Sequence, residues 1–264
     1  MKGAPAWLER IVAARRKAVD AARAARAAQA AGAKPEPARA EPMRDFEAAL
    51  RAPGRRFIAE IKRRSPSAGP IREPLDPEWV ARRYEASGAA ALSVLTEPEF
   101  FGGSEADLAH ARGAVSLPVL RKDFVLDSGM VRESRALGAD AVLLIAAVLS
   151  PADLRTLVAS AREAGLAALV EIHDESELDP ALASGARIIG VNSRDLRDFS
   201  VDLARAERLA ARIPDGLVKV AESGIKGARD VARLESAGYR AFLVGESLLR
   251  AEDPGAALAE LVFP

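Results

Sequence analysis

The chain has 264 residues, 49% hydrophobic and 29% charged, which is ordinary for a soluble globular protein and suits one large domain or two small ones. Its 38 basic and 38 acidic residues balance to zero, so the basic excess expected of a nucleic-acid binder is missing and no such partner is expected. It has no cysteine and only two histidines, His110 and His173, which excludes disulfides, thiolate chemistry and a His- or Cys-rich metal site, and leaves only a carboxylate metal site conceivable.

Residues 7–30, WLERIVAARRKAVDAARAARAAQA, have the Ala/Arg composition of a transit peptide. Glu9, Asp20 and the helical spacing of Leu8, Ile11, Val12 and Val19 favour an integral amphipathic helix instead. No signal-peptide apolar core precedes it. No apolar run reaches the roughly 18 residues of a membrane span, so a cytoplasmic protein is expected. GAKPEPARAEP (32–42) reads as a loop or linker. Residues 1–45 are expected to form a helical extension to a single domain whose body is 55–264.

Beyond the linker the pattern becomes regular. Short apolar, β-branched runs begin near Phe57, Ala90, Pro118, Ala139, Ala167, Arg187, Leu217 and Arg240. Helical patterns such as DPEWVARRYEASG, PADLRTLVASAREAG and ARDVARLESAG lie between them and end in a glycine suited to a left-handed C-cap. Eight strands alternating with helices mean parallel α/β. A doubly wound sheet would usually carry a Gly-rich first turn, and no G-x-G-x-x-G follows any strand. A closed (β/α)8 TIM barrel needs about 250 residues. The barrel with an N-terminal helical extension is therefore the expected fold.

Active sites of such barrels lie at the C-terminal ends of the strands. Side chains alternate along a strand, so Ile58, Glu60 and Lys62 share one face while Phe57, Ala59 and Ile61 share the other. The apolar set must meet the helices, which aims Glu60 and Lys62 into the mouth. The same parity pairs Leu120 with Lys122, Leu169 with Glu171 and His173, and Ile188 with Gly190 and Asn192. A ring of Glu60, Lys62, Lys122, Glu171 and Asn192 results. Any one of these could be a solvated rim charge, but five at equivalent positions suit acid–base work, since burial and neighbours can pull a lysine below its ordinary pKa of about 10.4. Gly224 in ESGI and Gly245 in VGES follow the last two strands, where barrels commonly bind phosphate, and SLLRAEDP supplies a candidate short helix. His173 reads as rim or hydrogen-bond support, His110 as a surface residue, and Met43 and Met130 as packing. Trp7 reads as a core anchor, or as a ligand contact if the first helix crosses the mouth.

Seven segments in order, FIAEIKRRSPSAG, LSVLTEPEFFGGS, PVLRKDF, LVEIHDESEL, IIGVNSRDL, VAESGI and FLVGESLL, together resemble the indole-3-glycerol phosphate synthases, from residue 57 to about 250. The resemblance implies a cofactor-free, metal-free lyase of tryptophan biosynthesis acting on a small anilino-deoxyribulose phosphate, a monomer or weak homo-oligomer with no membrane partner. It implies Lys122 as general acid, Glu171 as general base, and Lys62 as an anion contact or second acid. Glu60 and Asn192 would orient the substrate, and Ser65 would hold its carboxylate. Ser223, Gly224, Gly245 and Glu246, with Lys62, would line the phosphate site. Arg194 and Glu222 would tune the field, and Phe101, Phe124 and Leu143 would wall the aromatic ring. Ala68, where relatives often have Lys, and the segment VLDSGM containing Ser128, Gly129 and Met130 depart from the family pattern. A sugar-phosphate isomerase would need the last two loops but not both EIK and RKDF. An inert binding scaffold would need neither.

Overall fold

The computed structural model describes residues 6–30 and 42–263. All of the expected linker except Pro42 lies outside the described residues. Eight strands, β1 (Arg56–Ile61), β2 (Ala91–Leu95), β3 (Val119–Lys122), β4 (Ala141–Ile145), β5 (Ala167–Ile172), β6 (Ile188–Asn192), β7 (Val218–Glu222) and β8 (Ala241–Val244), pair in parallel in chain order. Pairing of Arg56 with Ala241 and of Phe57 with Phe242 closes β1 on β8, so the sheet is a (β/α)8 barrel rather than an open doubly wound sheet. The strands begin within two residues of their expected starts.

Helices α1 (Ala6–Ala30) and α2 (Phe46–Arg51) precede the barrel. Helices α3 (Pro77–Ala86), α4 (Glu105–Ala114), α5 (Ser128–Ala136), α6 (Pro151–Glu163), α7 (Glu175–Ala183), α8 (Leu203–Ala210) and α9 (Ala228–Ser236) fill the crossovers. Helices α10 (Glu246–Leu249) and α11 (Pro254–Val262) follow β8. Local chemistry sets their ends. Asp76 accepts from the N–H groups of Glu78 and Trp79 ahead of Pro77, and Ser150 accepts from that of Asp153 ahead of Pro151. Gly88, Gly165 and Gly238 have φ of 86°, 75° and 103°, which only a residue without Cβ adopts cheaply.

Strand parity sorts the core into two layers. Phe57, Ala59, Val119, Val142, Val170, Ile189 and Phe242 face the helices. Ile58, Leu120, Leu143, Leu169, Ile188, Val220 and Leu243 fill the barrel. Both ends of this inner layer are covered. At the strand starts, Phe46 and Leu50 of α2 join it, and Arg56 donates to Ala49 O at 2.9 Å. At the mouth, Leu8, Ile11 and Val12 of α1 join it beside Phe124 and Ile145. The amphipathic reading of the first helix thus holds: these three side chains are buried and Val19 packs on the outer layer.

A buried ion pair ties the segment before α2 to the wall. Asp140, just before β4, holds the Arg112 guanidinium and accepts from the backbone N–H groups of Arg44 and Val119, each at 2.8 Å. Asp140→Ala leaves a buried guanidinium without its carboxylate, and the expected cost is about 3–5 kcal/mol. Urea unfolding measures it, and a loss below about 1 kcal/mol would show that the pair does not hold this corner.

Candidate active site

The barrel mouth opens into a cavity of about 1110 Å³ with its entrance included. Glu60, Lys62, Ser65, Phe101, Lys122, Phe124, Leu143, Glu171, Asn192, Arg194, Ser223, Gly224, Gly245 and Glu246 all line it. Every expected site residue is therefore brought together there except Glu222, which lies just beneath and touches Lys122.

The charged members form one layer of the barrel interior. Glu60, Lys122, Glu171 and Glu222 come from β1, β3, β5 and β7, the alternate strands that share a layer in this fold. Beside them the intervening strands place Ser93 next to Glu60, and Ile145 and Gly190 on either side of Glu171. Lys122 Nζ is the hub: 3.0 Å from Glu222 Oε2, 3.5 Å from Glu60 Oε2 and 3.6 Å from Glu171 Oε2. Lys62 Nζ sits 2.5 Å from the other Glu60 oxygen.

Glycine makes this layer possible. A Cβ on Gly190 would collide with Glu222 Oε1, and one on Gly245 would lie 2.6 Å from Glu60 Oε1. Gly245 was expected to serve a phosphate; here it also gives the Glu60 carboxylate its room.

The electrostatics follow. Burial alone would lower the Lys122 pKa, but Glu222, Glu60 and Glu171 outweigh it and hold the ammonium well above the usual lysine range. The downward pull anticipated for a buried lysine is thus reversed, because three carboxylates surround it. Burial works to raise Glu60 and Glu171, yet the lysines hold Glu60 down, and Lys122 with His173 holds Glu171 well down. Glu222 moves the other way. Burial, which outweighs the opposing Lys122 and is reinforced by the Glu171 charge, pushes it above the usual carboxylate range.

The remaining residues frame this centre. Arg194 Nη2 lies 3.7 Å from Glu246 Oε2, and its backbone N–H donates to Asn192 Oδ1 at 3.0 Å. Ser223 and Gly224 both have left-handed backbone, with φ of 64° and 82°. The expected short helix after β8 is α10. Ser65 Oγ accepts from the N–H of Ala68 at 3.2 Å, so the residue that replaces a frequent lysine keeps the loop turn. The Phe101 and Phe124 rings lie 6.3 Å apart. Trp7 reaches the cavity from α1, donates to Leu196 O and stacks on Phe199 at 4.8 Å. Met43 and Met130 pack in the outer layer and His110 is exposed. His173 is buried at 5% exposure, deeper than a rim position.

Two residues escaped sequence reasoning. Asp123, next to Lys122, takes the Arg15 guanidinium at 2.6 Å, the Thr96 hydroxyl at 2.7 Å and Arg121 at 3.2 Å. Arg15 follows Leu8, Ile11 and Val12 on one stripe of α1, and a charge on an apolar stripe was the available signal. Gly190→Ala is expected to push Glu222 off Lys122 and, by displacing the layer on the ångström scale, to lower turnover by roughly 10²-fold. Steady-state kinetics with circular dichroism checks this; wild-type turnover would refute the need for that gap.

Comparison with known proteins gives the family. Residues 8–261 match the family model described as indole-3-glycerol phosphate synthase. The chain is 56% identical over 225 residues to indole-3-glycerol phosphate synthase 2 of Streptomyces coelicolor, covering 85% of this chain and 87% of the relative. It is 47% identical over 260 residues to the indole-3-glycerol phosphate synthase of Chromobacterium violaceum, covering 97% of each. Among solved structures, 3-hexulose-6-phosphate synthase from Salmonella typhimurium shares the fold, with a TM-score of 0.62 at 14% identity over 78% of this chain and 96% of that one. On the family match and these two relatives, the chain belongs to the indole-3-glycerol phosphate synthase family.

Proposed function

We propose that the buried layer of charge closes an indole ring. The activity is a carbon–carbon carboxy-lyase reaction: 1-(2-carboxyphenylamino)-1-deoxyribulose 5-phosphate becomes indole-3-glycerol phosphate, carbon dioxide and water. The observation that carries the assignment of roles is Lys122 Nζ, held by three carboxylates at the floor of the cavity with Lys62 beside it.

The aromatic carbon bearing the carboxylate attacks the ketone, and negative charge develops on the ketone oxygen. A fixed ammonium meets that charge, stabilises it and gives the oxygen a proton. Lys122 has this character, because its three carboxylates stabilise the charged form. Carbon dioxide then leaves. Departure of the hydroxyl needs an acid, and loss of the remaining ring proton needs a base. Glu171, ionised beside Lys122, serves as that base. Lys62 holds an anionic end of the substrate and is the second candidate acid. Glu60 and Asn192 orient the substrate hydroxyls and the two ammoniums. Phe101, Phe124 and Leu143 wall the anthranilate ring, and Ser65 meets its carboxylate.

The phosphate lies at the other side of the mouth. Ser223, Gly224, Gly245 and Glu246 offer backbone N–H groups there, and Arg194 offsets the added charge while Glu222 tunes the field from below. No step here calls for a cofactor or metal. The chain works as one domain, with 1–45 as an extension and 55–264 as the barrel. It acts as a monomer or weak homo-oligomer in the cytoplasm, without nucleic acid; a substrate carrying carboxylate and phosphate does not cross membranes unaided.

Incubation with the anilino-deoxyribulose phosphate is expected to give indole fluorescence, and no product from the wild-type chain would refute the reading. Lys122→Ala is expected to lose at least about 3 kcal/mol of transition-state stabilisation. Activity within tenfold of wild type would remove Lys122 from the acid role.

A further inference from the structure

His173 extends the inward face of β5 two residues beyond Glu171 and is buried. Its Nε2 lies 3.1 Å from Glu171 Oε1, and its Nδ1 lies 3.4 Å from Glu177 Oε2 in the first turn of α7. Glu177 is itself fixed, since the same oxygen accepts the backbone N–H of His173 at 2.7 Å. Neither ring nitrogen is squarely aligned with its oxygen, so these are charge contacts.

A neutral imidazole has one N–H and one lone pair. Between two carboxylates it would have to face one of them with the lone pair, in a site with little water to screen the repulsion. An imidazolium presents a positive N–H to both. The groups facing His173 are Glu171 and Glu177, both acidic. Although burial opposes it, the two carboxylates push the imidazole up to about 10.

This cation bears on a choice left open by the rest of the cluster. Glu171 and Glu222 both contact Lys122, at 3.6 Å and 3.0 Å, so the charge of each acts on the other. Two such carboxylates sharing one ammonium do not both stay ionised easily. Of these two, among the described residues, only Glu171 has a second cation, as Glu60 has in Lys62.

We propose that His173, braced by Glu177, is a positioning residue whose imidazolium decides which of Glu171 and Glu222 holds a proton. It keeps Glu171 ionised and oriented as the base and leaves the proton to Glu222. This rests on the proposed role of Glu171, and it extends that reading to a residue outside the cavity wall.

The sign is fixed by the charge. Loss of a neighbouring cation raises a carboxylate pKa, so a base loses its proton-accepting form at higher pH. His173→Gln is expected to move the acid limb of the kcat/KM profile upward by about one pH unit. Glu177→Gln, which leaves the imidazole with one carboxylate, is expected to move it the same way by less. An unmoved limb in both variants would overturn the proposal.

A second measurement uses the wild-type fold and no turnover. The chain has two histidines, so 15N NMR of wild type and of His110→Gln identifies the His173 ring. Both ring nitrogens should carry protons at about pH 8, and a one-proton pattern would overturn the proposal even if the profiles shift. Wild-type protein that makes no product would refute the ring-closing reading while leaving the ring-nitrogen result to stand or fall separately.

Discussion

Four ionisable side chains share one level of a barrel interior, and Lys122 at its hub is the contact on which the mouth depends. Taking an ion from water into a protein costs several kcal/mol, and it is tolerated only where geometry supplies counter-charge at close range. Here the supply is architectural. Alternate strands of a closed barrel place side chains at the same height, so Glu60, Glu171 and Glu222 converge on Lys122 without any flexible loop among them. Parallel pairing with neighbouring strands fixes each backbone position, and Ser93, Ile145 and Gly190 stand between the charges. A constellation built this way is preorganised: its dipoles and charges do not have to reorient as a substrate changes charge.

The two covers of the barrel serve this layer unequally. Helix α2 closes the strand starts with Phe46 and Leu50, at the end of the barrel away from the charges. Helix α1 buries Leu8, Ile11 and Val12 at the mouth and adds Arg15 to Asp123. Asp123 is next in chain to Lys122 and also holds Thr96 and Arg121, so the first helix is tied to the end of the strand that carries the proposed acid. The same helix brings Trp7 and Leu8 to the cavity wall, where their apolar surface borders the cluster. Apolar surface in place of water strengthens the Coulomb interactions beside it.

Much of this was legible in the sequence, and for a definite reason. Period-two alternation is a rigid property of a strand, so Ile58-Glu60-Lys62 and Leu169-Glu171-His173 revealed their inward face from spacing alone. Glu222 follows Val218 and Val220 by the same rule, and strand parity applied to β7 places it inward too. Parity gives a face but not a depth or a partner. It did not show that Lys122 faces three carboxylates, so the expected direction of its pKa was wrong. Nor did it show that Glu177 and Glu171 enclose His173, because that depends on how α7 packs back on β5. The gaps at Gly190 and Gly245 were invisible for a similar reason: the side chains that need the space are Glu222 and Glu60, on neighbouring strands.

The two lysines whose division of acid roles the sequence left open are unequal in their surroundings. Lys122 ends β3 and shares its charge among Glu60, Glu171 and Glu222. An arriving anion competing for Lys122 would have to displace all of these. Lys62 lies one residue past β1 and has, among the described residues, a single carboxylate partner, Glu60. An arriving substrate carboxylate or phosphate can replace that one contact, and Glu60 remains satisfied by Lys122. The exchange leaves no buried charge unpaired, which is the condition for binding an anion here without a large desolvation penalty. Lys62 is therefore the ammonium suited to capture the substrate, while Lys122, the proposed acid, is held in place by its three carboxylates.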